Sequence, residues 1–106
     1  MNHTQYRQGD VFLESVEAAV PDDCQEISRD RGLVVLAYGE ATGHAHLIDH
    51  SNVWLLESDE LEDRFLEVLA ESGVDLRHGL LAAPKTQAEH DTVHLDPGVY
   101  RVTGFD

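Results

Sequence analysis

One continuous stretch, LVVLAYGEATGHAHLI over residues 33–48, decides the fold class of this chain. Its first part, residues 33–38, is apolar throughout and rich in β-branched residues, which predicts a central strand buried on both faces. A turn bounded by Gly39 and Gly43 follows, and residues 44–48 form the next strand. The stretch therefore predicts two strands in close succession, of which the second carries two histidines.

Other short apolar segments follow the same rhythm, because turn residues and acidic clusters separate them along the chain. Segments bounded by glycine, proline and aspartate are typical of β domains. With 106 residues, the chain predicts a single domain, residues 1–106, that is mainly β: a small barrel or sandwich, cupin-like or similar. Beyond the first two strands, we expect strands over residues 10–16, 53–57, 92–95 and 99–103, the last two joined by a Pro-Gly turn.

Residues 58–72 allow two different structures. Their apolar side chains recur at helical spacing, which favours one short amphipathic helix over residues 59–71. The same residues also fit a hairpin, with residues 59–63 as its turn and residues 64–70 as its return strand. Periodicity alone does not separate the two alternatives in so short a segment.

The pair His44 and His46 is the strongest chemical signal in the chain. Alternate side chains of a strand share a face, so both imidazoles point the same way. Two neighbouring imidazoles suit a divalent transition metal such as Zn, Fe, Ni, Mn or Cu. The other ligands must come from elsewhere in the chain. The C-terminal part supplies the candidates: His90 and then His78 as ligands, and Glu89 and His94 as alternative ligands or as groups that hold a ligand imidazole.

The charge balance of the chain excludes some partners. Its 21 acidic and 7 basic residues give a formal net charge of -14, which repels phosphate backbones and anionic lipids. We therefore expect no direct binding to nucleic acid or to a membrane. The single Cys24 cannot form an internal disulfide, which favours a cytoplasmic location. A small-molecule ligand, and a homodimer that covers the apolar strands, are both compatible with this composition.

Several blocks of the sequence together resemble a family of small uncharacterised bacterial and phage proteins. That family carries a compact His-Glu-Glu-His shortly before its last hairpin, whereas here Leu76-Arg77-His78 resembles the beginning of that motif and Glu89-His90 its end. The resemblance implies a small domain with paired histidine segments and brings no established activity. The blocks that carry it are Gln8-Gly9-Asp10-Val11, residues 39–46, Leu76-Arg77-His78, Glu89-His90 and the closing Leu-x-Pro-Gly-x-Tyr-x-Val of residues 95–102.

The pairing of a His-x-His strand with a later histidine segment also resembles the metal-binding logic of cupins. In cupins two histidines one residue apart combine with a later histidine and often with a glutamate. No glutamate follows His46 at the expected distance, so Asp49 or Glu89 would have to take that role. The likeness concerns architecture, and it does not specify a reaction.

Three kinds of function fit these observations. The first is a mononuclear metal-dependent enzyme that acts on a small molecule, in which the metal keeps an open position. The second is a non-enzymatic metal-binding or metal-sensing module. The third is a metal-free interaction or accessory domain, whose partner surface would include the hydrophobic residues 79–84. The number of protein ligands separates the first two, and metal content separates both from the third.

Overall fold

The computed structural model describes residues 4–39, 43–60, 63–82 and 92–103, and within these ranges the protein is built from β-strands and their connections. None of the described residues is helical, and none belongs to a helix that could cross a membrane. The strands in chain order are β1 Gln5–Gln8, β2 Val11–Val16, β3 Cys24–Glu26, β4 Val34–Tyr38, β5 His44–Ile48, β6 Val53–Ser58, β7 Arg64–Val68, β8 Val74–Leu80, β9 Val93–Leu95 and β10 Gly98–Thr103.

The described strands form two antiparallel sheets that share one core. The larger sheet has the order β1-β2-β10-β7-β6-β3 and the smaller sheet the order β4-β5-β8-β9. Both sheets contribute fully buried leucines to this core: Leu13 and Leu66 from the larger sheet, and Leu36 and Leu76 from the smaller one. Burying one leucine side chain contributes about 2 kcal/mol, so the shared core holds the two layers together. Within the described ranges the sheets do not close into a barrel.

The strands predicted over residues 10–16, 53–57, 92–95 and 99–103 are confirmed as β2, β6, β9 and β10. However, β9 and β10 do not form a hairpin with each other. β9 pairs with β8, whereas β10 pairs with β2 and β7. The Pro-Gly link therefore carries the chain from the smaller sheet to the larger one, so that Leu95 and Tyr100 enter the same core from opposite layers.

The short helix predicted over residues 59–71 is wrong, and the alternative hairpin is confirmed. β6 and β7 pair antiparallel, with Leu55 opposite Leu66 and Glu57 opposite Arg64. β10 pairs with the other side of β7. Neighbours on both sides satisfy the backbone hydrogen-bonding groups of β7, and this tertiary context outweighs the local helical pattern. Residues 61–62 of the predicted turn lie outside the described residues.

The apolar strand predicted for the centre of a sheet lies at an edge. Among the described strands β4 is outermost in the smaller sheet, and its neighbour β5 is central, between β4 and β8. β4 is apolar on both faces because Val34 and Leu36 enter the shared core, while Val35 packs with Leu47 in a second apolar cluster. The register of β4 and β5 shifts between Val35 and Ala37, as in a β-bulge. After the shift Ala37 is opposite His46.

Candidate functional site

His44 and His46 both lie on β5, the central strand of the smaller sheet. They share a face with Ile48, whose side chain belongs to the core between the sheets, because alternate side chains of a strand point the same way. Residues two apart on a strand have Cα atoms roughly 6.8 Å apart, which lets two imidazoles reach one metal ion. His44 is half-buried, and His46 is only 5% exposed. The two rings therefore project from the same face of β5 as a residue of the core.

Gln8, the last residue of β1, holds the ring of His46. His46 Nδ1 lies 2.7 Å from Gln8 Oε1, and Gln8 Nε2 donates to the carbonyl oxygen of Leu76 at 2.9 Å. A carbonyl oxygen only accepts, so this second bond orients the Gln8 amide with its acceptor, Oε1, towards His46. His46 must then donate through Nδ1, and in the neutral ring the lone pair is on Nε2.

Gly9 follows Gln8 and lies against the same imidazole. Its φ is +57°, a backbone conformation that glycine adopts without strain. A Cβ at this position would lie 3.3 Å from His46 Cε1 and 3.8 Å from His46 Nε2. Any side chain on residue 9 would therefore crowd the edge of the ring that carries Nε2. The turn between β1 and β2 thus orients the imidazole through Gln8, and Gly9 places no side chain against the edge that carries Nε2.

His78 on β8 is directly opposite His46. The two rings are stacked, with centroids 4.2 Å apart and planes within 8° of parallel. Side chains opposite each other in an antiparallel pair share a face. The structure therefore brings His44, His46 and His78, three of the predicted ligands, together on the inner face of the smaller sheet. His78, unlike His46, is only half-buried.

The three histidines do not form a finished metal site. Within residues 4–39, 43–60, 63–82 and 92–103, no three His, Cys, Asp or Glu side chains are arranged to hold a metal ion. The stacked rings of His46 and His78 do not point at a common ion, because the lone pair of an imidazole lies in the ring plane and two parallel planes do not meet. Glu89 and His90 lie outside the described residues. Metal binding by any of these residues stays a prediction.

One family model matches the chain over residues 7–104, and its description is a domain of unknown function, DUF8820. This chain belongs to that family. The matched range contains Gln8, Gly9 and the three histidines of the inner face. No curated protein and no solved structure matches the chain.

His94, the remaining predicted candidate of the DUF8820 domain, belongs to a different group of side chains. It lies opposite Asp75 on the β8–β9 pair, and its Nδ1 is 2.8 Å from Asp75 Oδ1. Asp75 and His78 are three residues apart on β8, so their side chains point to opposite faces of the sheet. The structure therefore does not bring His94 together with His46. Its side chain is 53% exposed.

The His94 group borders an open cleft of about 400 Å³, whose lining also includes Asp49, His50 and Arg77. The pKa of His94 is raised, chiefly because its ring hydrogen-bonds to Asp75. Gly73 makes room for this ring. Its φ is +78°, and a Cβ there would lie 2.7 Å from His94 Nε2 and would collide with the carbonyl oxygen of Leu95.

Gln8 is the residue of the DUF8820 site that sequence reasoning misses. It is 1% exposed, although it stands in a polar segment, Gln5–Gln8, that contains one apolar residue, Tyr6. Such a segment does not predict a strand, and a lone glutamine before a glycine is typical of an exposed turn. The only signal that points to Gln8 is its place in the Gln8-Gly9-Asp10-Val11 block of the family resemblance.

Proposed function

We propose that this chain binds a divalent transition metal through His44 and His46, with His78 as a third ligand. The observation that supports the proposal best is the hydrogen bond between His46 Nδ1 and Gln8 Oε1, at 2.7 Å. A histidine that binds a metal through one ring nitrogen almost always donates a hydrogen bond from the other. At His46 a buried amide fixes this arrangement, which makes Nε2 the ligand atom.

The donor set determines which ions suit the site. Imidazole nitrogens favour Zn, Cu, Fe and Ni over the hard ions that prefer oxygen ligands. The net charge of the chain, -14, attracts cations. Three neutral imidazoles leave the charge of a divalent ion uncompensated, so a water molecule bound to the ion would become more acidic.

The number of protein ligands decides between catalysis and other roles. A metal held by three imidazoles keeps a position for water or a small molecule, as in an enzyme. A fourth protein ligand would close the site and favour sensing, storage or a structural role. The proposed set follows the ligand logic of cupins, because two histidines one residue apart combine with a later one. This likeness concerns the ligands, because the two sheets do not close into a barrel within the part of the chain that the structure describes.

The proposal is tested by elemental mass spectrometry on protein without a histidine tag, both as purified and after incubation with Zn, Fe, Ni, Mn or Cu followed by desalting. We expect about one equivalent of metal in the natural chain and none in the double variant His44→Ala, His46→Ala. The matched control is His50→Ala, which removes an imidazole from the other group and should retain the metal. Absence of metal from the natural chain under all conditions would refute the proposal and favour a metal-free interaction domain. Equal retention by the double variant would refute it as well, because the metal would then be bound elsewhere.

A further inference from the structure

The stack of His46 on His78 has a consequence for how a metal would bind. The ring centroids are 4.2 Å apart and the planes differ by 8°. A metal ion binds an imidazole nitrogen in the plane of the ring, at roughly 2.0–2.1 Å. An ion bound in this way to His46 is therefore out of the plane of His78. The two rings can share an ion only after one of them turns.

The contacts of the two rings indicate which of them turns. His46 is 5% exposed, its Nδ1 is hydrogen-bonded to Gln8, and Gly9 lies against its Cε1 edge. Turning His46 would break this hydrogen bond in a buried position. His78 is half-buried, and a rotation of its ring breaks the stack on His46. The ring of His78 is therefore the one that can turn at lower cost.

We propose that His78 is a ligand that enters the coordination sphere only by leaving its stack on His46. This inference rests on the proposed metal binding and adds the order of events. Without metal, His78 covers one face of the His46 ring. When an ion binds Nε2 of His46, His78 rotates about its side-chain torsions and its own nitrogen completes the set.

The balance of the two states follows from the contacts that are exchanged. An offset or parallel aromatic pair stabilises by an amount equivalent to roughly a twofold to tenfold change in an equilibrium constant. Loss of a group that merely orients a metal ligand already weakens binding by about 10–100-fold, and loss of a ligand should do at least as much. A bound metal therefore outweighs the stack, and removal of the metal restores it.

The variant His78→Phe separates the two roles of this residue. Phenylalanine retains a flat ring that can stack on His46 but has no nitrogen to coordinate a metal. The matched control is His94→Phe, which makes the same change at an exposed position of the same sheet. We expect His78→Phe to raise the Kd for Zn²⁺ at least about tenfold and His94→Phe to leave it unchanged.

The decisive measurement uses the natural chain with ¹⁵N-labelled histidines, followed by nuclear magnetic resonance as Zn²⁺ is added to one equivalent. A metal-bound shift at a ring nitrogen of His78, together with loss of the ring-current shift on His46, is the expected result. Zinc binding with an unchanged His78 ring would overturn this inference and exclude His78 as a ligand, while metal binding through His44 and His46 would stand. No zinc binding at all would overturn both. This reading does not depend on whether His78→Phe folds.

Discussion

Replacing Gln8 with methionine removes the group that orients His46 while keeping a side chain of similar length. The change deletes two hydrogen bonds, one with His46 Nδ1 and one with the carbonyl oxygen of Leu76, in a position that is 1% exposed. A buried polar group that loses its partner costs about 1–3 kcal/mol. We therefore expect the free energy of unfolding to fall by about 3 kcal/mol, which lowers the Tm by about 10–20 °C in a domain of this size.

The same substitution should also weaken metal binding. His46 would lose the acceptor that keeps its proton on Nδ1, and outer hydrogen-bonding partners of this kind are worth about 10–100-fold in metal affinity. Urea unfolding measures the change in stability, and competition against a chelator of known affinity measures the change in Kd. Both measurements use the natural chain, Gln8→Met and the control Gln5→Met.

Gln5 is a suitable control because it lies on the same strand and makes only an exposed contact, 3.4 Å from Glu14. A surface change of this kind alters stability by less than about 0.5 kcal/mol, and Gln5→Met should leave the metal affinity unchanged. If Gln8→Met were as stable as Gln5→Met and bound metal equally well, the role assigned to the buried amide would be refuted. A loss of stability with unchanged metal affinity would restrict Gln8 to a structural role.

Three further predictions concern the rest of the fold. Gly73→Ala should destabilise the protein by at least about 1 kcal/mol more than Gly32→Ala. Both glycines have φ near +80°, but of the two only Gly73 has other atoms close to where a Cβ would lie. Equal urea midpoints for the two variants would contradict this prediction. Because the pKa of His94 is raised in the folded protein, its contribution to stability is present below pH 6.5 and is lost as the pH rises through that higher folded pKa. Urea unfolding at a series of pH values should show this fall in the free energy of unfolding, and Asp75→Asn should make the fall smaller. Burial raises the pKa of Tyr100 to about 12. The free energy of unfolding should therefore fall above about pH 10, because Tyr100 ionises in the unfolded chain before it ionises in the folded protein. In the same assay Tyr100→Phe should remove the part of this fall that Tyr100 causes.

The sequence predicts those parts of the fold where local patterns and neighbours agree. In β2 and β6 the apolar residues alternate or form a short run between turn residues, and the structure confirms both strands. The sequence does not decide the hairpin of residues 59–70, because its apolar spacing also fits a helix. Only the pairing of β7 with strands on both sides decides between them. β1 cannot be predicted, since its four residues include three polar ones.

The candidate site is likewise predictable only where it depends on a local pattern. The shared face of His44 and His46 follows from strand periodicity alone. The stack on His78 does not, because it depends on the register between β5 and β8, which are far apart in the sequence. The hydrogen bond to Gln8 depends on contact between strands of different sheets. Residues that orient a ligand through the tertiary fold leave no local pattern to read.

X-ray absorption spectroscopy at the edge of a bound metal tests the central claim most directly, because it reports the atoms that surround the ion. For the natural chain loaded with Zn²⁺, we predict a nitrogen and oxygen shell at about 2.0–2.1 Å with the outer scattering of two or three imidazoles. The variant His46→Ala should lose one imidazole from this pattern or lose the metal. A spectrum without imidazole scattering, or one that His46→Ala leaves unchanged, would contradict a metal site built on His46.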